Sequence, residues 1–77
     1  MRLDKYLKVS RLIKRRTVAQ MEIENGTVLL NFKAAKPSTE ANVGDIITLV
    51  KIDKRYKIIK TYESATEELA KTMYEEI

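Results

Sequence analysis

At Gly26 the chain changes period, and this change restricts the fold more than any other feature. Before it, apolar residues recur at helical spacing. Leu3 and Leu7 are four apart, as are Ala19 and Ile23, so each pair stacks on one helix face. After it come short runs rich in β-branched residues, at residues 27–30, 46–52 and 56–62. Gly26 can adopt the left-handed backbone that ends a helix, because it has no Cβ to clash. Helices followed by short antiparallel strands define an α+β domain.

The spacing predicts a first helix over residues 3–8, a turn capped by Ser10 over 11–14, and a longer helix over 16–25. Ala19 and Ile23 face inward from the second helix. Residues 27–30 form a strand, 31–33 a turn and 34–36 a short return strand. Residues 43–45 turn into a hairpin of strands 46–52 and 56–62, linked by residues 53–55. Ser64 and Glu67 match a capping box. Ala65, Leu69 and Met73 recur every four residues behind it, predicting a C-terminal helix over 64–77 that packs on the hairpin.

Length and composition exclude several function classes. The chain's 77 residues make one domain, with a core motif over 1–52 and the hairpin and tail over 46–77. A domain of this size buries about 60–65% of its unfolded surface and has no room for a deep, closed active site. It has no cysteine and no histidine. Disulfides, thiolate or imidazole metal sites and histidine-based triads are therefore ruled out. Nothing resembles a phosphate-cradling glycine loop. No catalytic residue, metal or cofactor is expected. No apolar run nears the roughly 20 residues that span a bilayer. A soluble, cytoplasmic monomer without a membrane partner is the expectation.

The charge is concentrated. Of the first sixteen residues seven are basic, and only Asp4 opposes them. That stretch carries a net charge of +6 within a whole-chain +4, so the remainder is slightly acidic. A cationic end interleaved with Leu3, Leu7, Val9, Leu12 and Ile13 is a folded basic surface rather than a disordered tail. Such a surface fits a nucleic acid, whose counterions it would release. A solvated helix face, or a contact with an acidic protein partner, would produce the same composition.

The order of landmarks narrows the choice. Arg2-Leu3-Asp4, Leu7, Arg16-x-x-Ala19, Ile23-x-x-Gly26-x-Val28, Asn31 and Val43-Gly44-Asp45-x-Ile47 follow one another. This succession resembles the S-four RNA-binding domain, or alpha-L fold, over about residues 1–52. The first seventeen residues resemble those of the RqcP (YabO) family, which is itself similar to a heat-shock protein of the large ribosomal subunit. The resemblance implies N-terminal helices packed on a small sheet and no catalysis. It implies an accessory factor in ribosome-associated quality control. The implied partners are large-subunit rRNA, tRNA, the obstructed large ribosomal subunit with its peptidyl-tRNA, and an RqcH-like factor whose alanine tailing it assists.

Carried over by position, the RNA-binding candidates are Arg2, Lys5, Lys8, Ser10, Arg11, Lys14, Arg15 and Arg16. Lys33 and Lys36, in neighbouring loops, join them. Arg2, Lys5 and Lys8 are spaced to share a helix face. Arg16 opens its helix, where a cation opposes the helix dipole, so a function for it is expected. Arg2 and Arg16 are expected to be dispensable for stability. Asp4 reads as a structural acid orienting a neighbouring Arg or Lys. Ser10 is a cap or an RNA contact, and Tyr6 is packing or a stacking surface. The acidic tail is expected to support the fold and to avoid RNA. Two residues depart from the family pattern. Phe32 stands where glycine is usual after Asn31, so a longer or differently shaped turn is expected, displacing Lys33. Glu22 stands at a usually apolar position, so Met21 or Val18 is expected to fill the gap.

Overall fold

The computed structural model describes residues 1–77. Helix α1 spans Leu3–Val9 and α2 spans Arg16–Glu24. The strands are β1 (Val28–Leu30), β2 (Lys33–Ala34), β3 (Ile46–Leu49), β4 (Lys54–Ile58) and β5 (Tyr74–Glu76). A single helical turn, α3 (Glu67–Ala70), precedes β5. The sheet is antiparallel throughout, in the order β2-β1-β3-β4-β5. Both early helices match the sequence expectation, and the expected hairpin is present as β3–β4 with shifted bounds. Gly26 ends α2 with a φ of 78°, as its missing side chain allows.

Helix α1 has no side-chain N-cap. Its first donors are satisfied from elsewhere: Leu3 N–H donates to the Thr39 carbonyl at 2.8 Å and Asp4 N–H to Pro37 at 3.1 Å. The irregular segment around Pro37 thus replaces a capping residue and fixes the helix start. From α1, Leu3, Tyr6 and Leu7 enter the core, where Ala19 and Ile23 of α2 meet them. The sheet supplies Val28, Ile47 and Ile58 from β1, β3 and β4. Tyr6 is packing: it is fully buried, and its hydroxyl donates to the Met73 carbonyl at 2.8 Å.

Several expected elements differ. The strand expected over 46–52 stops at Leu49, and Val50–Ile52 form a 3-10 turn. Asp53, with φ 51°, then reverses the chain, so β4 begins at Lys54 and ends at Ile58. Residues 11–14 form no helical turn. Ser10 instead closes α1: its hydroxyl donates to the Leu7 carbonyl at 3.2 Å. Its oxygen accepts from the Leu12 amide at 3.5 Å. Glu22 pairs with Lys51 at 2.6 Å, while Met21 and Val18 are exposed and fill nothing.

The tail is the largest correction. No helix runs over 64–77. Thr66, not Ser64, caps α3, its hydroxyl accepting from the Leu69 amide at 3.2 Å. The chain then extends, and β5 pairs with β4 in the register Tyr56↔Glu76 and Ile58↔Tyr74. Tyr56 and Tyr74 meet edge to face, with centroids 5.2 Å apart. The four-residue recurrence of Ala65, Leu69 and Met73 misled because only Met73 is fully buried, whereas Leu69 is 45% exposed. The β4 edge offered unpaired backbone groups, and pairing them outweighed a short, marginal helix.

The two tail geometries make different demands on single residues. Met73→Ala should cost about 2–5 kcal/mol, as for a buried large-to-small change. Leu69→Ala should stay within about 0.5 kcal/mol. Urea unfolding of both variants checks this; equal costs would restore the helical stripe.

Candidate nucleic-acid interface

The site is organised by Asp4, which is fully buried in the first turn of α1. A carboxylate there must be compensated, because an isolated buried charge is prohibitively costly. Five donors do so. Arg2 donates through Nε to Oδ1 and through Nη2 to Oδ2, both at 3.2 Å. Arg16 donates through Nε to Oδ2 at 3.2 Å and through Nη2 to Oδ1 at 3.4 Å. Gln20, four residues after Arg16 and so on the same face of α2, donates to Oδ2 at 2.8 Å. The Lys5 amide donates to Oδ1 at 2.7 Å. Burial acts to raise the Asp4 carboxyl, but the hydrogen bonds from Gln20, Arg16, the Lys5 amide and Arg2 hold it below its usual value.

This arrangement joins α1 to α2 and aims two guanidinium groups. The Arg2 and Arg16 side chains remain 50% and 39% exposed. Each uses only part of its five-donor fork on Asp4, so further N–H groups face solvent in a fixed orientation. Asp4 therefore plays the orienting role its position suggested. The geometry argues against the expected dispensability of Arg2 and Arg16, since both neutralise a buried charge. Gln20 was missed. Its only signal was its spacing from Arg16.

The remaining candidates do not all share one face. Arg2 lines a shallow hollow of about 480 Å³ with Gln20 and Glu24 from α2 and with Lys36, Pro37 and Ser38. Lys8, Ser10, Arg11 and Lys14 line a separate groove of about 650 Å³, whose opposite wall is the tail, including Glu63, Glu67 and Lys71. Arg11, held at φ 63°, donates to the Ala65 carbonyl across this groove at 3.4 Å. Lys5 is bound by Glu63, whose carboxyl is lowered by that contact. The helical spacing of Arg2, Lys5 and Lys8 thus does not gather them. Ser10 is buried and acts as a cap. Arg15 and Lys33 are exposed and make no ion pair. Lys33 follows a two-residue turn, since Leu30 pairs with Lys33, and both turn residues have positive φ, so neither the longer nor the differently shaped turn expected from Phe32 is found.

Comparisons with known proteins bear on the family and the fold. The S4 domain family model matches residues 1–47. A protein of Listeria innocua named RQC P-site tRNA stabilizing factor is 49% identical over 96% of this chain and 83% of its own length. A Streptococcus pneumoniae protein of the same name is 44% identical, over 97% of this chain and 88% of its own length. The solved structure of Vibrio cholerae heat shock protein 15, described as trimeric, superposes with a TM-score of 0.93 at 34% identity. The match covers all of this chain and 81% of that one.

Removing one guanidinium should be felt in stability. Arg16→Ala should cost about 1–3 kcal/mol in urea unfolding, the penalty for leaving buried polar groups short of partners. The Asp4 contribution has a defined pH window. Because folding lowers this carboxyl, its contribution is complete above the unfolded value near 3.8 and fades as pH falls through the lower folded value. Acid unfolding of Asp4→Asn should lack that component.

Proposed function

The chain belongs to the S4 domain family, among the relatives named RQC P-site tRNA stabilizing factor, and from that premise we propose a ribosome-bound RNA-binding function. In this reading it binds large-subunit rRNA and tRNA on obstructed subunits that carry peptidyl-tRNA. It supports C-terminal alanine tailing there, together with an RqcH-like factor, in the cytoplasm and without catalysing a step itself. The observation that carries the reading is the pair of half-exposed guanidinium forks locked on Asp4.

The physical logic is positional. A-form RNA hides its base edges in a deep, narrow major groove, so proteins grip phosphates, 2′-hydroxyls and shape. Planar guanidinium forks suit phosphates bidentately. Forks already oriented by a buried acid lose less freedom on binding than free side chains do. Arg2 and Arg16 with Lys36 would form one contact region, and Lys8, Arg11 and Lys14 a second. Two such regions on so small a body suit a factor held between two RNA elements. The tail brings mixed charge to the second region, so it borders the RNA rather than standing apart from it.

A second reading, recycling of the large subunit in the manner of a heat-shock factor, is favoured by the structural likeness to heat shock protein 15. Cells lacking the protein separate the two. Loss of alanine tails on a stalled reporter supports the first. Intact tails with impaired recovery of large subunits support the second.

The electrostatic part is measurable in isolation. If about five cations meet phosphates, log affinity should fall with log salt at a slope on the order of −3 to −4. Co-sedimentation with large subunits should be abolished by RNase. A slope near zero, or RNase-resistant co-sedimentation, would point to an acidic protein partner instead.

A further inference from the structure

Phe32 carries two costs that a turn residue ordinarily avoids. The β1–β2 turn has only Asn31 and Phe32 between the paired residues Leu30 and Lys33. Both are left-handed, with φ 51° and 66°. Asn31 tolerates that region, but a bulky aromatic is an outlier there, and glycine would form the same turn freely. The phenyl ring also gains little from burial: Phe32 is 59% exposed and stands outside the core cluster and the residues packed on it. Neither turn shape nor packing accounts for an aromatic at this position.

The turn is also rigid. The Asn31 amide donates to the Ile46 carbonyl at 2.7 Å, and the Ile46 amide donates back to Asn31 Oδ1 at 3.0 Å. Asn31 Nδ2 donates to Asp45 Oδ1 at 3.1 Å. The other oxygen of Asp45 accepts from the Asn42 amide at 2.9 Å, so this nearby acid is engaged. Next in the chain comes Lys33, which forms no ion pair, and three residues further Lys36, in the hollow with Arg2. Phe32 is thus an exposed aromatic on a hydrogen-bonded turn, followed directly in the chain by an exposed lysine.

We propose that Phe32 is a stacking platform for an unpaired base of the bound RNA, with Lys33 meeting the adjacent phosphate. This rests on the RNA-binding reading above and adds a preference for RNA with an unstacked base. An exposed aromatic followed by an unpaired lysine suits such a base, because every base offers a π-face and is joined through its sugar to a phosphate. An apolar pocket on a protein would accept the ring but would not use the neighbouring lysines.

The test compares two RNAs of equal length. One is a hairpin with 2-aminopurine in its loop, and the other is a blunt duplex with no unpaired base. Phe32→Gly should fold at least as stably as the parent, bind the hairpin at least about fivefold more weakly and leave 2-aminopurine unquenched. Its affinity for the duplex should not change, and Phe32→Trp should keep both affinity and quenching. Unchanged hairpin affinity and quenching in Phe32→Gly would overturn the proposal, as would an equal loss on the duplex. If Phe32→Gly binds both RNAs like the parent but loses large subunits, the ring contacts a protein and the base is excluded. If the parent binds neither RNA, the RNA-binding reading itself fails, an outcome distinct from failure at Phe32 alone.

Discussion

A buried carboxylate with no water to solvate it needs donors from every side, and that requirement at Asp4 organises the N-terminal half of the molecule. Its oxygens take bonds from α1, from the start of α2 and from Gln20 one turn further along. The helices can meet at one relative position only if all these donors converge. The backbone reinforces it: the Asp4 amide is fixed by Pro37, and Leu3 by Thr39. An acid in the first turn also suits the positive end of the α1 dipole. The same contacts that hold the helices together aim Arg2 and Arg16 outward. In the proposed function, stability and recognition would share one set of hydrogen bonds, so neither arginine could be varied for one purpose alone.

That sharing changes what the basic cluster means. Seven cations in sixteen residues suggest a uniform patch, but the fold divides them by task. Arg2 and Arg16 neutralise Asp4. Lys5 is engaged by Glu63 and Arg11 by the Ala65 carbonyl. Lys8, Lys14 and Arg15 make no ion pair. An unpaired exposed lysine contributes mobile charge and long-range attraction, whereas a tethered guanidinium contributes a direction.

How much of this was legible follows from the range of the interactions involved. Helices α1 and α2 were readable because their apolar positions repeat within one or two turns, and Gly26 marks the end of α2 locally. The β3–β4 hairpin was readable from its β-branched residues. The tail was not, because β5 exists through pairing with β4 and through Tyr74 against Tyr56, partners that the segment itself does not encode. Residues 67–77 are locally a plausible helix; tertiary hydrogen bonding decides otherwise. At the site, the arginines and Asp4 stood in a recognisable order, but Gln20 showed nothing beyond its spacing. The division of cations into two regions depends on where the tail returns, so it could not precede knowledge of β5.

The return of the tail therefore has a consequence for the site as well as for the core. With β5 on the sheet and Tyr6 bonded to Met73, the segment over residues 63–71 is brought back against the end of α1. Glu63 and Glu67 then face Lys8, Arg11 and Lys14 across one groove, with Lys71 on the acidic side. A wall of mixed charge narrows what the groove can accept: a phosphate chain must pass the cations while keeping clear of two carboxylates. An open cationic face would bind any polyanion, whereas one bordered by acids penalises strands that approach in the wrong direction. Closing the sheet edge thus stabilises the fold and at the same time sets acids across the groove from the basic residues.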